Sequence, residues 1–318
     1  MSLKYNIAIL DDQKEFFEEY KDTIEDYLNK QGFIANIDYI QSEREFNLYD
    51  LDIPDLFMVD LKFGIEDKGQ KFIEKIRKDY FTDILFYSSD HEAIERYRKN
   101  ADMQGIFFAE KDEQNDEVEV LLIRLLDKML LKANAPRSMR GIVMECVAEL
   151  DDMIKQKIEL LESKITQSSQ KEKTRRKILK HYKISNDGRN KKLSDFFATP
   201  FVGDKIAAEE IYEKARQFSI SELIDNIHIT DSQKNLQCLL IFYRELYGEN
   251  DLYNEIRKYE DLLSKRNILA HVTQEKIDGR YAFKHHTDTS EYYELTIEET
   301  LSLRKIIISL EEYIMQIT

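Results

Sequence analysis

Four short apolar runs divide the first 110 positions of this chain, and each ends at or just before residues able to do chemistry. Tyr5-Asn6-Ile7-Ala8-Ile9-Leu10 stops at Asp11 and Asp12, and Leu56-Phe57-Met58-Val59 stops at Asp60. Asp83-Ile84-Leu85-Phe86-Tyr87 leads into Ser88 and Ser89, and Gly105-Ile106-Phe107-Phe108-Ala109 leads to Lys111. Short apolar runs of this kind predict strands. Between them lie segments of helical period such as Gln70 to Lys78, so strand and helix alternate, which predicts a parallel α/β sheet. Open sheets of this kind bind ligands outside the carboxyl ends of their strands. If the first two runs are neighbours, three carboxylates converge there as an oxygen-lined site for a hard cation.

Beyond residue 132 the pattern changes. Ala133-Asn134-Ala135-Pro136-Arg137 marks a boundary, so residues 1–132 form one predicted domain, 133–137 a linker and 138–318 a second domain. From Met139 to Ile165 apolar residues recur at three- and four-residue steps: Ile142, Cys146, Leu150, Met153 or Ile154, Ile158, Leu161, Ile165. This stripe suits a dimer seam or the core face of a bundled helix, and its width favours the bundle. Further helices are predicted over Asp204 to Phe218, Asp231 to Tyr247, Leu252 to His271 and Ile297 to Ile317, the last with Thr296 as N-cap and Glu299 in capping-box position. Arg280 to Lys284 and Tyr292 to Leu295 predict a small hairpin. The predicted fold class is therefore α/β followed by an all-α bundle with a small hairpin.

Charge separates the halves further. Residues 1–132 carry a net charge of −13 and the remainder −2. Within the second half, Lys171 to Lys192 is locally basic, a patch suited to a polyanion such as RNA or to a solvated helix face. No apolar stretch approaches the roughly 20 residues needed to span a bilayer, and no signal-peptide pattern opens the chain, so a cytoplasmic protein with no membrane association is expected. Two cysteines, Cys146 and Cys238, exclude a disulfide scaffold. No helix-turn-helix with a basic recognition helix occurs, so no DNA partner is expected, and no Gly-rich phosphate loop occurs either. His285-His286 lack matching ligands at metal spacing and read as exposed loop, and His181 and His228 read as surface residues.

Two acids, a central aspartate, a hydroxyl and a lysine on successive strands, over residues 4 to 132, resemble the receiver domain of two-component response regulators. The resemblance implies a five-stranded, doubly wound parallel sheet in which Asp60 is the phosphoacceptor. Asp11, Asp12, Asp60 and the backbone carbonyl of Lys62 would hold Mg²⁺, Lys111 would pair with a phosphoryl oxygen, and Phe108 would occupy the aromatic switch position. A sensor histidine kinase would be the partner. The chain departs from the family in placing Asp112 where proline usually follows the lysine, and in Gly69, one residue late. That slip leaves the switch hydroxyl open between Ser88, counted from Asp60, and Ser89, counted back from Lys111.

In the second half, Arg266-Asn267-Ile268-Leu269-Ala270-His271 resembles the Arg-polar-x-x-x-His motif of HEPN-domain proteins, helical bundles that dimerise to build a composite cleft. Many members are metal-independent endoribonucleases. The resemblance implies His271 as general acid/base, Arg266 as the group that stabilises phosphorane charge, and Asn267 as an orienting residue, with no cofactor in this half. Two functions follow as expectations. One is a homodimeric ribonuclease controlled through Asp60. The other is a non-catalytic interaction or dimerisation module, in which Arg266 and His271 cap structure.

Overall fold

A computed structural model of the protein describes residues 3–42, 52–63, 69–100, 104–112, 117–181, 217–225, 230–271, 274–277, 280–284 and 292–318. Its contacts divide into two compact units, residues 1–142 with 300–304, and residues 143–299 with 305–318.

The first unit runs β1 (Lys4–Leu10), α1 (Lys14–Lys30), β2 (Ile34–Ile40), β3 (Leu56–Asp60), α2 (Gly69–Asp79), β4 (Asp83–Ser88), α3 (His91–Asn100), β5 (Ile106–Glu110) and α4 (Glu117–Ala133). The five strands are parallel in the order β2-β1-β3-β4-β5, with helices flanking the sheet. All four predicted strands are present; β1, β3 and β4 are buried along most of their length, and β5, at the sheet edge, is buried at Ile106 and Ala109. Ile7, Ile9, Leu10, Phe57, Met58, Val59, Ile84, Leu85 and Phe86 are all fully buried. On one face, Ala8, Leu10, Phe57, Val59, Ile84 and Phe86 pack with Phe72, Ile73 and Ile76 of α2 and with Ala93 and Ile94 of α3. β2 is the strand that its sequence conceals. Ile34-Ala35-Asn36-Ile37-Asp38-Tyr39-Ile40 lies at the sheet edge, half-exposed over most of its length, so it offers neither a continuous apolar run nor strict alternation.

Among the described residues, the second unit is helical apart from one small sheet. α5 (Pro136–Lys164), which begins in the first unit, is followed by α6 (Ser168–His181), α7 (Ile220–Ile224), α8 (Ser232–Tyr247), α9 (Asp251–Arg257), α10 (Tyr259–His271) and α11 (Ile297–Met315). The apolar stripe of α5 is buried at Ile142, Cys146, Leu150, Ile154, Ile158 and Leu161, as a core face requires. The single helix expected over Leu252 to His271 is instead α9 and α10, separated at Lys258. The expected hairpin is a three-stranded antiparallel sheet of β6 (Gln274–Ile277), β7 (Arg280–Lys284) and β8 (Tyr292–Glu294). Thr296 caps α11 by accepting from the Glu299 N–H at 3.1 Å. The Glu299 carboxylate is engaged by Lys265 and Tyr293 rather than closing a capping box. One turn of α11, Thr300–Arg304, belongs to the first unit, so that unit is not continuous in sequence. There Arg304 is fully buried, donating to Gln31 O and Asn134 Oδ1 and lying 4.4 Å over the Phe33 ring.

The helix expected over Asp204 to Phe218, the basic positions from Lys183 to Lys192, His228 and His285-His286 lie outside the described residues, save Gln217 and Phe218. Both cysteines are free and buried. Among the described residues, no helix is long and apolar enough to cross a membrane.

Candidate functional site

Strand order reverses at β1, whose neighbours are β2 on one side and β3 on the other. Such a switch point opens a crevice at the carboxyl ends of the central strands. Asp11 and Asp12 follow β1 directly, and Asp60 closes β3. One carboxylate oxygen from each lies within 4.8 Å of the others. The backbone stitches these ends together, with Leu61 N–H donating to Tyr87 O at 2.9 Å and Lys111 N–H to Ser88 O at 2.8 Å.

The three acids are not equivalent. Asp12 is exposed, Asp60 is 3% exposed and Asp11 is fully buried. Asp11 Oδ1 accepts from the Gln13 N–H at 2.8 Å; its Oδ2 accepts from the Tyr87 hydroxyl at 2.8 Å and lies 3.5 Å from Lys111 Nζ. A carboxylate offers about four lone-pair sites, so Asp11 keeps about one for any further partner. Asp60 accepts from the Lys62 N–H at 3.0 Å. Burial, and next the charge of Asp11, push the Asp60 carboxyl up to about 6; the Lys62 N–H and the Lys111 ammonium oppose that rise. Two mostly buried carboxylates held against mutual repulsion in an all-oxygen donor set fit a hard divalent cation.

A cavity of about 510 Å³ opens onto the cluster, lined by Gln13, Phe16, Asp60, Lys62, Ser89 and Lys111 among others. Ser89 therefore shares this cavity wall with Asp60. Ser88 is buried, and its hydroxyl oxygen accepts from the Asp90 N–H at 3.2 Å. Phe108 stands half-buried at the edge of the core, stacked on Tyr97 at 6.3 Å and edge-on to Phe86 at 5.7 Å. Its carbonyl accepts from Arg98. Tyr87 and Phe16 were not legible as site residues. Tyr87 scans as one more apolar position of β4, yet the register Asp60↔Tyr87 brings its hydroxyl to Asp11.

The second set of candidate residues lies on α10. Arg266 is half-buried, donating from one terminal nitrogen to Ser232 Oγ at 3.0 Å and from the other to Asn267 Oδ1 at 3.1 Å. Ser232 in turn donates to Asp151 Oδ2, and the Tyr259 hydroxyl lies 2.8 Å from Asp151 Oδ1. Among the described residues, no hydrogen-bond partner meets the buried Arg266 Nε. His271 is exposed at the last position of the helix, and among the described residues no hydrogen bond joins it to Arg266 or Asn267. Five residues correspond to about 140° of net rotation, which sets the two side chains on different faces of one helix.

In comparisons with known proteins, no family model, curated protein or solved structure matches the chain, so its own residues carry the functional reading.

Proposed function

We propose that the first unit is a receiver-type phosphoacceptor domain in which Asp60 takes a phosphoryl group from a small phosphodonor or a sensor histidine kinase. The observation that carries this reading is the convergence of Asp11, Asp12 and Asp60 with Lys111 at the switch point of a parallel sheet. In the reaction, an Asp60 carboxylate oxygen attacks the donor phosphorus and forms a new P–O bond. The bond from phosphorus to the donor breaks, and its electron pair leaves with the donor. Asp12 and Asp60 would hold Mg²⁺ with the Lys62 carbonyl, and Asp11 would contribute through its one remaining lone pair. Bound there, Mg²⁺ would neutralise the acids and gather phosphoryl oxygens. Lys111 supplies a cation for a phosphoryl oxygen, and Ser89, on the cavity wall, is the better placed of the two hydroxyls to donate to another.

Incubation with a small phosphodonor, with and without Mg²⁺, followed by intact mass measurement tests this. One phosphoryl group is expected on the wild type with Mg²⁺, and none on Asp60→Asn or in EDTA. Full incorporation into Asp60→Asn would overturn it.

For the helical unit the better supported role is a non-catalytic interaction module that reports the state of Asp60, because Arg266 is already engaged by Ser232 and Asn267. The second reading is a metal-independent ribonuclease whose cleft forms between two copies, supported by the exposed His271 and the unpartnered Arg266 Nε. A digest of total RNA in EDTA separates them. The ribonuclease reading expects 2′,3′-cyclic phosphate ends and a loss of about 10²–10⁴-fold in His271→Ala; the module reading expects no cleavage with Asp60 phosphorylated or not.

A further inference from the structure

The Lys111 ammonium has an unusual neighbour. Its Nζ lies 3.1 Å above the centroid of the Phe16 ring and 5.4 Å from that of Tyr87, and the side chain is only 9% exposed. Phe16 lies in the first turn of α1 and lines the same cavity as Asp60. The ring is itself braced: Tyr20 stacks on it at 6.5 Å and meets Tyr87 edge-on at 5.9 Å. Three aromatic rings thus form a wall along which the lysine is laid.

Lysine is a strongly hydrated point charge on a flexible four-carbon stem, so fixing it beside a cavity costs both hydration and rotamer freedom. Asp11 alone is a poor anchor. It lies 3.5 Å away, and the oxygen it offers already accepts from Tyr87. An aromatic face replaces part of the lost hydration electrostatically while accepting none of the ammonium protons in a strong hydrogen bond. The N–H donors not turned to Asp11 then remain available to an incoming anion.

We infer that Phe16 is a positioning residue for the phosphoryl transfer, holding the Lys111 ammonium by a cation–π contact on the cavity wall where an incoming phosphoryl oxygen meets it. This rests on the phosphoacceptor reading of Asp60. Phe16 touches no reacting atom and acts only through Lys111.

Two readouts on the full-length protein test it. In NMR spectra of the metal-free protein, the Lys111 ε-methylene protons, assigned by their disappearance in Lys111→Ala, should be shifted upfield by the ring current. Phe16→Leu, which keeps an apolar side chain of similar reach, should abolish that shift. With a small phosphodonor and saturating Mg²⁺, Phe16→Leu should lower the rate of Asp60 phosphorylation by about 3- to 30-fold, the scale of a desolvated cation–π contact. Phe16→Tyr should recover most of the loss. In a Lys111→Ala background, Phe16→Leu should have no further effect. An unshifted Lys111 signal in the wild type, or an equal loss in the Lys111→Ala background, would overturn the role of Phe16 while leaving the phosphoacceptor intact. Absence of incorporation in the wild type would overturn the phosphoacceptor reading and with it the functional role of Phe16; a retained ring-current shift would then show the failure to lie at Asp60 rather than in the placement of Lys111.

Discussion

Both candidate sites set a cation near a mostly buried carboxylate, but they use the cation in opposite ways. In the α/β unit, Lys111 approaches Asp11 at 3.5 Å and otherwise faces an aromatic ring and an open cavity. In the helical unit, the Arg266 fork is bound to Ser232 and Asn267, and Ser232 passes that contact on to Asp151. A cation with donors to spare beside clustered acids is arranged to receive an anion. One whose terminal nitrogens end in a side-chain network has those donors already engaged. The difference shows that a charged motif acquires meaning from what its donors already hold.

The acids supply the largest test of this contrast. Because Asp60 titrates near 6 in the folded chain, above the ordinary carboxylate range, its ionisation opposes folding. The opposition is absent at low pH, grows as pH rises toward 6 and is complete above it. In EDTA, Asp60→Asn should therefore stabilise the protein at pH 8 by up to about 3 kcal/mol, falling to about 1 kcal/mol at pH 4.5. Denaturant unfolding at the two pH values measures this, and a gain independent of pH would refute a strained acid cluster.

A somewhat smaller effect is expected in the helical unit. Burial raises the Asp151 carboxyl, while Ser232, Tyr259 and Arg266 counter that rise. Removing the Arg266 cation by Arg266→Ala should destabilise by about 1–3 kcal/mol, and Asp151→Asn in the same chain should restore part of it. Thermal melts with native-like spectra check this. A variant as stable as the wild type would make Arg266 a free functional group and return the ribonuclease reading to first place.

The smallest effect concerns Tyr87. Tyr87→Phe removes one donor from Asp11 without changing shape, which should cost about 1 kcal/mol. It should also free a lone pair for a cation, so Mg²⁺ should bind at least as tightly, as titration would show; markedly weaker binding would mean that the phenol orients Asp11 for the metal.

The legible part of the molecule was the part where burial writes directly into sequence. The apolar runs that became β1, β3 and β4 are largely buried, the run of β5 stays apolar although that strand is half-exposed at the sheet edge, and the residues that end all four reached one sheet edge because parallel strands point the same way. The edge strand β2 and strand β6 left no comparable signal, since half-exposed or short strands tolerate polar residues. The break at Lys258 was hidden because no glycine or proline marks it. Phe16 and Tyr87 were hidden differently. Each looks like ordinary packing until helix phase and strand register bring ring and hydroxyl to Lys111 and Asp11, a tertiary fact that no local pattern encodes.

The most direct test of the central claim is to locate the phosphoryl group and identify its bond. After incubation with a small phosphodonor and Mg²⁺, borohydride reduction and peptide mapping should find Asp60 converted to homoserine, with the phosphoryl group lost in hydroxylamine as an acyl phosphate requires. A hydroxylamine-stable phosphate on Ser88 or Ser89, with Asp60 unmodified, would contradict the account.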